Sequence, residues 1–348
     1  MKRATANVRI VTPCLLAGTD QTTAELRPAS IRGQLRWWFR LLNPGRKEQE
    51  KAIFGGVNNG TQASSLVTRI KTPAEKIRVV DKQNAEQIAG SSYDYFLWPL
   101  GRRNSTPRGV IAPGETFELL LTHRHVKDGD VLPKDVLEAF LLFGALGTRS
   151  RRAYGGIFPK ALTIDGKDYN PPPDIAAVAE TAERLLKPAD CRVLQIAAPS
   201  ATADESIQVC VRFLRAFRCG SDKSGTPSKW GENDHDAPFS QHSAVYRPAL
   251  GLPLKQRYSR NRGSFDTEVR QADSRWASPL LLKVVPVENG FLPLAIFCNS
   301  MVLREQPVTL RDRNKTVKKD LSHDLWHAMQ DPSRHPEVGW KGAKLLTG

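Results

Sequence analysis

Ser30-Ile31-Arg32-Gly33-Gln34-Leu35-Arg36-Trp37-Trp38-Phe39-Arg40 reads as an amphipathic helix whose faces want different surroundings. At helical spacing Ile31, Leu35, Trp38 and Leu42 form an apolar stripe, while Arg32, Arg36 and Arg40 recur at i, i+4 and i+8 on a neighbouring ridge. Three like charges on one ridge repel by roughly a few tenths of a kcal/mol per pair. Without acidic neighbours to offset them, the ridge suits an anion better than water. Ser30 is the expected N-cap. Gly33 costs about 1 kcal/mol against Ala in a helix, which predicts a close approach to the backbone there. Trp37 and Phe39 flank the stripe, so at least one is expected at a surface, stacking on a base or docking a protein neighbour.

Working outward, residues 8–12 read as a strand before this helix, with further strands at 64–71 and 115–123. The last alternates Phe117, Leu119 and Leu121 against Glu118 and Leu120. Pro133 suits the first turn of a helix carrying Val136, Leu137, Phe140 and Leu141, followed by a strand through Leu162. Strand, helix, two strands, helix, strand is the ferredoxin-like order, with a long insertion around Trp98-Pro99-Leu100-Gly101-Arg102-Arg103. Asn170-Pro171-Pro172-Pro173-Asp174 fits neither helix nor ladder and divides the chain into domains at 1–170 and 171–348.

Beyond the prolines, 191–198 reads as a strand, and Ile207, Cys210, Val211, Leu214 and Phe217 mark a helix stopped by Gly220. Polar residues 220–236 predict a mobile loop. Residues 280–287 and 291–299 form a hairpin around Glu288-Asn289-Gly290, and a helix near 321–329 follows. The fold class expected is α+β, with two ferredoxin-like (RRM-like) domains in tandem carrying long loop insertions.

The 348 residues hold 51 Lys+Arg against 36 Asp+Glu, a formal net charge of +15, which favours a polyanionic partner, nucleic acid first. Basic residues fall in runs, at 149–152, 255–262 and 311–319. Cys14, Cys191, Cys210, Cys219 and Cys298 are scattered and odd in number, which reads as reduced, mostly buried thiols. No apolar run approaches the roughly 20 residues of a membrane span. Arg9 and Pro13 interrupt any signal-peptide core, so the expected location is the cytoplasm, with no membrane partner.

Gly144-Ala145-Leu146-Gly147-Thr148-Arg149-Ser150-Arg151-Arg152-Ala153-Tyr154-Gly155-Gly156 is the second strong signal. Glycines free the backbone to approach a phosphate, and Arg149, Arg151 and Arg152 add charge and bidentate geometry. It is not a nucleotide P-loop, because no strand precedes it and the Lys-Ser/Thr ending is missing. The alternative is a helix C-cap and tight turn, which accounts for Gly147 but not for three arginines beside Tyr154.

Thr12-Pro13, then residues 25–40, then Ile53-Phe54-Gly55 resemble the amino-terminal signature of the RAMP superfamily of CRISPR proteins, its type III-B members most of all. Residues 147–156 resemble its glycine-rich loop, and Gly251-Leu252-Pro253-Leu254 with Arg275-Trp276-Ala277-Ser278-Pro279-Leu280 resemble its second-half motifs. The resemblance implies a non-catalytic subunit of a type III ribonucleoprotein that holds the 3′ part of a guide RNA, the complementary target RNA, or both, beside other RAMP subunits. The expected RNA-binding residues are Arg32, Gly33, Arg36, Trp37, Arg40, Gly147, Arg149, Ser150, Arg151, Arg152, Tyr154, Lys255, Arg257, Arg260 and Arg262, with no cofactor and no metal.

Four catalytic or metal readings stand beside it. Asp20 lies where backbone-type members of the superfamily carry an acid for metal-assisted cleavage of target RNA, against a turn former next to Gly18 and Thr19. His323 and His327 stand one helical turn apart, as in zinc proteases, but Asp324 replaces the Glu base and His335 is irregularly spaced. His123 and His125 suit a ribonuclease base or, more simply, a solvated strand edge. Cys219, His235 and His242 could span a zinc ion, although no CxxC supports it.

Overall fold

A computed structural model describes residues 1–16, 18, 23–57, 60–71, 96–97, 109–124, 131–219, 228–238, 244–252, 254–257, 264–268, 275–304, 307–311 and 316–348. By its contacts the chain forms two compact units. One comprises Met1–Ala189, Pro199–Gln208 and Leu282–Leu294; the other comprises Asp190–Ala198, Val209–Leu281 and Ala295–Gly348.

The first half runs β1 (Arg3–Ile10), α1 (Pro28–Leu42), α2 (Lys47–Phe54), β2 (Leu66–Lys71), β3 (Thr116–His123), α3 (Lys134–Phe143), β4 (Ile157–Ile164), β5 (Lys167–Tyr169) and α4 (Ile175–Leu186). Its sheet has the order β2-β3-β1-β4-β5, so the first strand is central, as the ferredoxin-like order requires. β5 is an added edge, turned through Asp165 and Gly166, both at positive φ. Ala4, Ala6, Val8 and Ile10 face inward, and their partners on β3 include Leu121, Leu119 and Phe117. Matching faces at matching register put one continuous apolar surface under α1 and α3.

α1 buries Ile31, Leu35, Trp38, Phe39 and Leu41, while Leu42 is only half-buried. The apolar face therefore turns towards Phe39, whose ring meets Phe54 of α2 at 5.9 Å, leaving Trp37 half-buried on the outer flank. Arg27, not Ser30, is the N-cap, with no side-chain bond; Pro28 starts the helix instead, its fixed φ already helical.

The second half runs β6 (Cys191–Gln195), α5 (Ala203–Arg218), α6 (Lys229–Asp236), β7 (Ala244–Val245), β8 (Leu254–Arg257), β9 (Ser264–Glu268), β10 (Leu280–Val287), β11 (Gly290–Cys298), β12 (Val308–Arg311), β13 (Thr316–Leu321), α7 (Asp324–Gln330) and β14 (Lys344–Leu345). The sheet order β10-β11-β6-β14 repeats the ferredoxin-like pattern with α5 and α7 as its helices. The expected hairpin forms, with Gly290 at φ 126. Strands inserted between these elements make a further sheet, β7-β13-β12-β9-β8, which the periodicity did not announce.

The loop expected at 220–236 is in part a helix. Ser228 caps α6, accepting from the Gly231 amide and donating to the Phe217 carbonyl at 2.6 Å. Trp230 is buried and stacks on Phe217 at 5.9 Å, its indole N–H donating to Asp324. One large aromatic and a good cap thus outweigh a polar, glycine-bearing composition. At the far end Asp234 is fully buried, accepts from the Tyr246 and Arg247 amides at 2.8 Å, and pairs with the Arg247 guanidinium at 3.0 Å. No cysteine forms a disulfide; all but the half-buried Cys219 are buried, and burial pushes the Cys14 thiol up to about 12. Among the described residues no helix is long and apolar enough to cross a membrane.

Candidate nucleic-acid interface

On α1 the arginine ridge faces outward: Arg32 and Arg40 are exposed and Arg36 is half-exposed. Successive arginines stand about 6 Å apart along the axis, four residues at 1.5 Å each. The ridge is not free of acid. Glu50 of α2 accepts from Arg36 Nε and takes a two-point contact from Arg40, at 2.9 and 2.7 Å. The hydrogen bond from Arg40 is the chief reason the Glu50 carboxyl lies below its ordinary value, with burial opposing it and Arg36 assisting. The expectation of an uncompensated ridge is therefore corrected, because the compensating carboxylate arrives from the next helix. Its signal was the Asn43-Pro44-Gly45 break, which folds α2 back beside α1.

Between the two helices lies a groove of about 670 Å³ whose walls carry Arg36, Arg40, Arg46, Lys47 and Lys51, opposed by Glu48 and Glu50. The cations outnumber the acids, so the groove remains attractive to an anion. Gly33 is exposed, and a Cβ placed there meets nothing within 4 Å. The backbone approach expected at Gly33 is not made by this chain's described residues.

The glycine-arginine loop leaves α3 and is fastened along its length. Thr148 donates to the Leu15 carbonyl at 2.8 Å, Leu146 to Gly155 at 2.8 Å, Gly155 to Pro13 at 2.9 Å, and Arg152 to Arg149 at 2.7 Å. Gly147 and Gly155 have φ of 78 and 66, and a Cβ on either would run into a carbonyl oxygen, of Leu15 and Leu146 respectively. The glycines are thus required by the protein's own backbone, which accounts for them without a phosphate. Tyr154 is fully buried and cannot stack on a base. What the tight loop presents is Arg149, Ser150, Arg151 and Arg152, all partly exposed, with Arg149 itself at φ 64.

The two sequence signals meet. Arg151 places its guanidinium 5.0 Å from the ring centre of Trp37, and Trp37 meets Trp38 edge-on at 5.1 Å. Trp37 is therefore already covered in part by an arginine, which leaves less of it for base stacking than the sequence predicts. Beneath the loop sits Lys283, 1% exposed, donating to the Gly144 and Ile157 carbonyls. Burial pushes its amine down to about 7. Lys283 was missed, although a lysine inside the apolar run Leu280-Leu281-Leu282-Lys283-Val284-Val285 is a visible anomaly.

Other expected sites do not assemble. Asp20, His125, His242, Arg260 and Arg262 lie outside the described residues, as do the side chains of Lys255 and Arg257, whose backbone forms β8. His123 is half-buried, held by Ser65 Oγ and the Leu132 amide at 3.0 Å, and burial pushes its pKa down to about 4. It is a neutral structural acceptor, which corrects both its reading as a ribonuclease base and its reading as a solvated edge residue. His323 bonds the Leu303 carbonyl at 2.7 Å and His335 is buried against the Met329 carbonyl. Among the described residues no cluster of three or more His, Cys, Asp or Glu could hold a metal ion.

The RAMP superfamily model matches residues 7–157. The CRISPR system Cmr subunit Cmr1-2 of Pyrococcus furiosus is 36% identical over 184 residues, covering 45% of this chain and 95% of that protein. The crystal structure of Cmr1 from Pyrococcus furiosus in its apo form shares the fold, with a TM-score of 0.59 at 17% identity, over 100% of this chain and 99% of that one. A chain of the cryo-EM structure of the Type III-B Cmr-beta bound to cognate target RNA aligns at a TM-score of 0.51 and 12% identity, over 97% of this chain and 99% of that one.

Proposed function

The chain belongs to the Cmr1 family of the RAMP superfamily, and from that premise we propose that it is a non-catalytic RNA-binding subunit of a type III-B CRISPR effector, holding guide RNA, target RNA or both beside other RAMP subunits. The observation that carries the reading is the contact of Arg151 with Trp37. It joins the arginine ridge of α1 and the glycine-arginine loop into one basic strip within the first ferredoxin-like domain. Arg32, Arg36, Arg40, Arg149, Arg151 and Arg152 hold phosphates along that strip, where guanidinium forks match phosphate oxygens. The similarity to a chain of an assembly bound to target RNA supports the partner class.

The test is incubation of the purified chain with labelled single-stranded RNA and Mg²⁺. Retained, intact RNA supports the reading. Discrete cleavage that Asp20→Ala removes would replace it with a metal-dependent ribonuclease. Weak RNA affinity together with firm capture of acidic protein subunits would replace it with an assembly role.

A further inference from the structure

The glycine-arginine loop is gripped by two consecutive residues of β10. The Leu282 backbone receives the Ala153 amide at 3.0 Å and donates to the Arg151 carbonyl at 3.3 Å, so it holds the arginine stretch itself. The Lys283 side chain holds the loop's two ends, the Gly144 carbonyl where α3 stops and the Ile157 carbonyl where β4 starts. Thr12 adds a third point, its Oγ1 accepting from the Gly156 amide at 2.8 Å.

A buried ammonium is costly, and an apolar side chain of similar length would fill the same space without that cost. Two partners make this one tolerable. The Gly144 carbonyl lies just past the last turn of α3, near the helix end where a cation is favoured, and charge-assisted bonds are stronger than neutral ones. Against them stands burial, which lowers the proton affinity of Lys283. Loss of that proton would leave two donors on an uncharged amine and weaken the grip on both ends at once.

Resting on the RNA-binding reading above, we propose that Lys283 is the positioning residue of the loop: its ammonium ties the loop's ends from within the core, so that Arg149, Arg151 and Arg152 meet the RNA as one preset group. The lysine touches no RNA. It acts through the loop, and its removal counts only where the loop arginines count.

The full chain is tested as parent, Lys283→Met, the triple variant Arg149→Ala/Arg151→Ala/Arg152→Ala, and the combination, each against a fluorescein-labelled oligouridylate across a salt series. Lys283→Met should bind about tenfold more weakly, and its salt slope should fall by about 0.7 for each loop arginine that no longer reaches a phosphate. In the triple background the same change should cost less than about twofold, because coupled residues are non-additive. Hydrogen exchange should quicken at the Leu146, Ala153 and Gly155 amides while the β1 and β3 amides keep their protection.

A triple variant that binds like the parent overturns the RNA reading of the loop and this inference with it. A weak triple beside a Lys283→Met that binds normally, or losses that simply add, overturns the inference alone. Should Lys283→Met not fold, parent and triple are compared from about pH 6 to about pH 9 at constant ionic strength. The parent's affinity should then fall severalfold more than the triple's as the amine loses its proton, and parallel profiles overturn the proposal.

Discussion

Arg151 rests its guanidinium on the indole of Trp37, 5.0 Å from the ring centre, and so ties the loop after α3 to the outer flank of α1. A half-buried cation–π pair contributes about 0.5–1 kcal/mol. Trp37→Ala, Arg151→Ala and the double variant, compared by denaturant melting, should show a coupling of that size. Strictly additive losses would mean the two groups merely lie close together.

RNA binding should be salt-sensitive and largely blind to sequence, since the ridge and loop offer charge but no set of base-reading side chains. If about five phosphates are neutralised, log K should fall with log[salt] at a slope near −3.5, at roughly −0.7 per phosphate for single strands. A flat response in a filter-binding titration, or strong preference for one short sequence, would count against phosphate contacts as the main source of affinity.

Glu50 restrains two arginines that the proposed function assigns to RNA. Glu50→Gln should tighten RNA binding severalfold and steepen the salt slope, while stability shifts by no more than about 1 kcal/mol, the range for partly exposed pairs. Weaker binding in this variant would show that the carboxylate holds the arginines ready rather than competing for them. The pair also sets an acid limit. Because the folded carboxyl lies below its usual value, its contribution is whole above about pH 4.3 and is lost as pH falls through the lower folded value. Melting temperature between about pH 5 and pH 3 should therefore fall less for Glu50→Gln than for the parent.

The glycines should separate cleanly. Gly33 is helical, exposed and unopposed, so Gly33→Ala should raise stability by about 0.5–1 kcal/mol. If RNA lies along the ridge, the added methyl should weaken binding in the same protein. Gly147→Val should instead lower both stability and binding, because positive φ and the Leu15 carbonyl leave no room for a β-branched side chain. Thermal melts and a binding assay on the two variants read both effects.

The two faces of α1 should respond oppositely. Trp38 is 1% exposed, and Trp38→Ala should cost about 3–5 kcal/mol. Arg32→Ala, on the exposed ridge, should leave stability within about ±0.5 kcal/mol and still weaken RNA binding. Reversed outcomes would mean that the faces are assigned backwards.

Much of this was legible beforehand, for identifiable reasons. Period-two alternation gave β3, helical spacing gave α1 and α5, and Asn289-Gly290 gave the hairpin, because each pattern is local. The tandem ferredoxin-like order followed from the order of those elements. What escaped depends on partners outside the element being read. Glu50 reaches Arg40 across the turn between two helices, Tyr154 is drawn inward although its loop is glycine-rich, and Lys283 finds its carbonyls more than a hundred positions away. The third sheet escaped for a related reason, since β9 pairs with the neighbouring β8 on one side but with β12, some forty residues on, on the other. Glycine misled most: at 147 and 155 its lack of a side chain serves the chain's own carbonyls, a use that composition cannot tell from ligand approach.

The central place of β1 has a consequence for synthesis. Ala4 pairs with Leu121 on one side and Ile164 on the other, so the strand that organises the first sheet is also the one that waits longest for company. At roughly 5–20 residues per second, on the order of ten seconds pass between making β1 and making β3. Through that interval the alternating apolar face of β1 and the buried face of α1 have no sheet to pack on. A nascent chain of this protein is therefore most exposed to mispairing before residue 123 emerges, and slowing translation ahead of β3 should lower the yield of folded protein more than the same pause placed after β4.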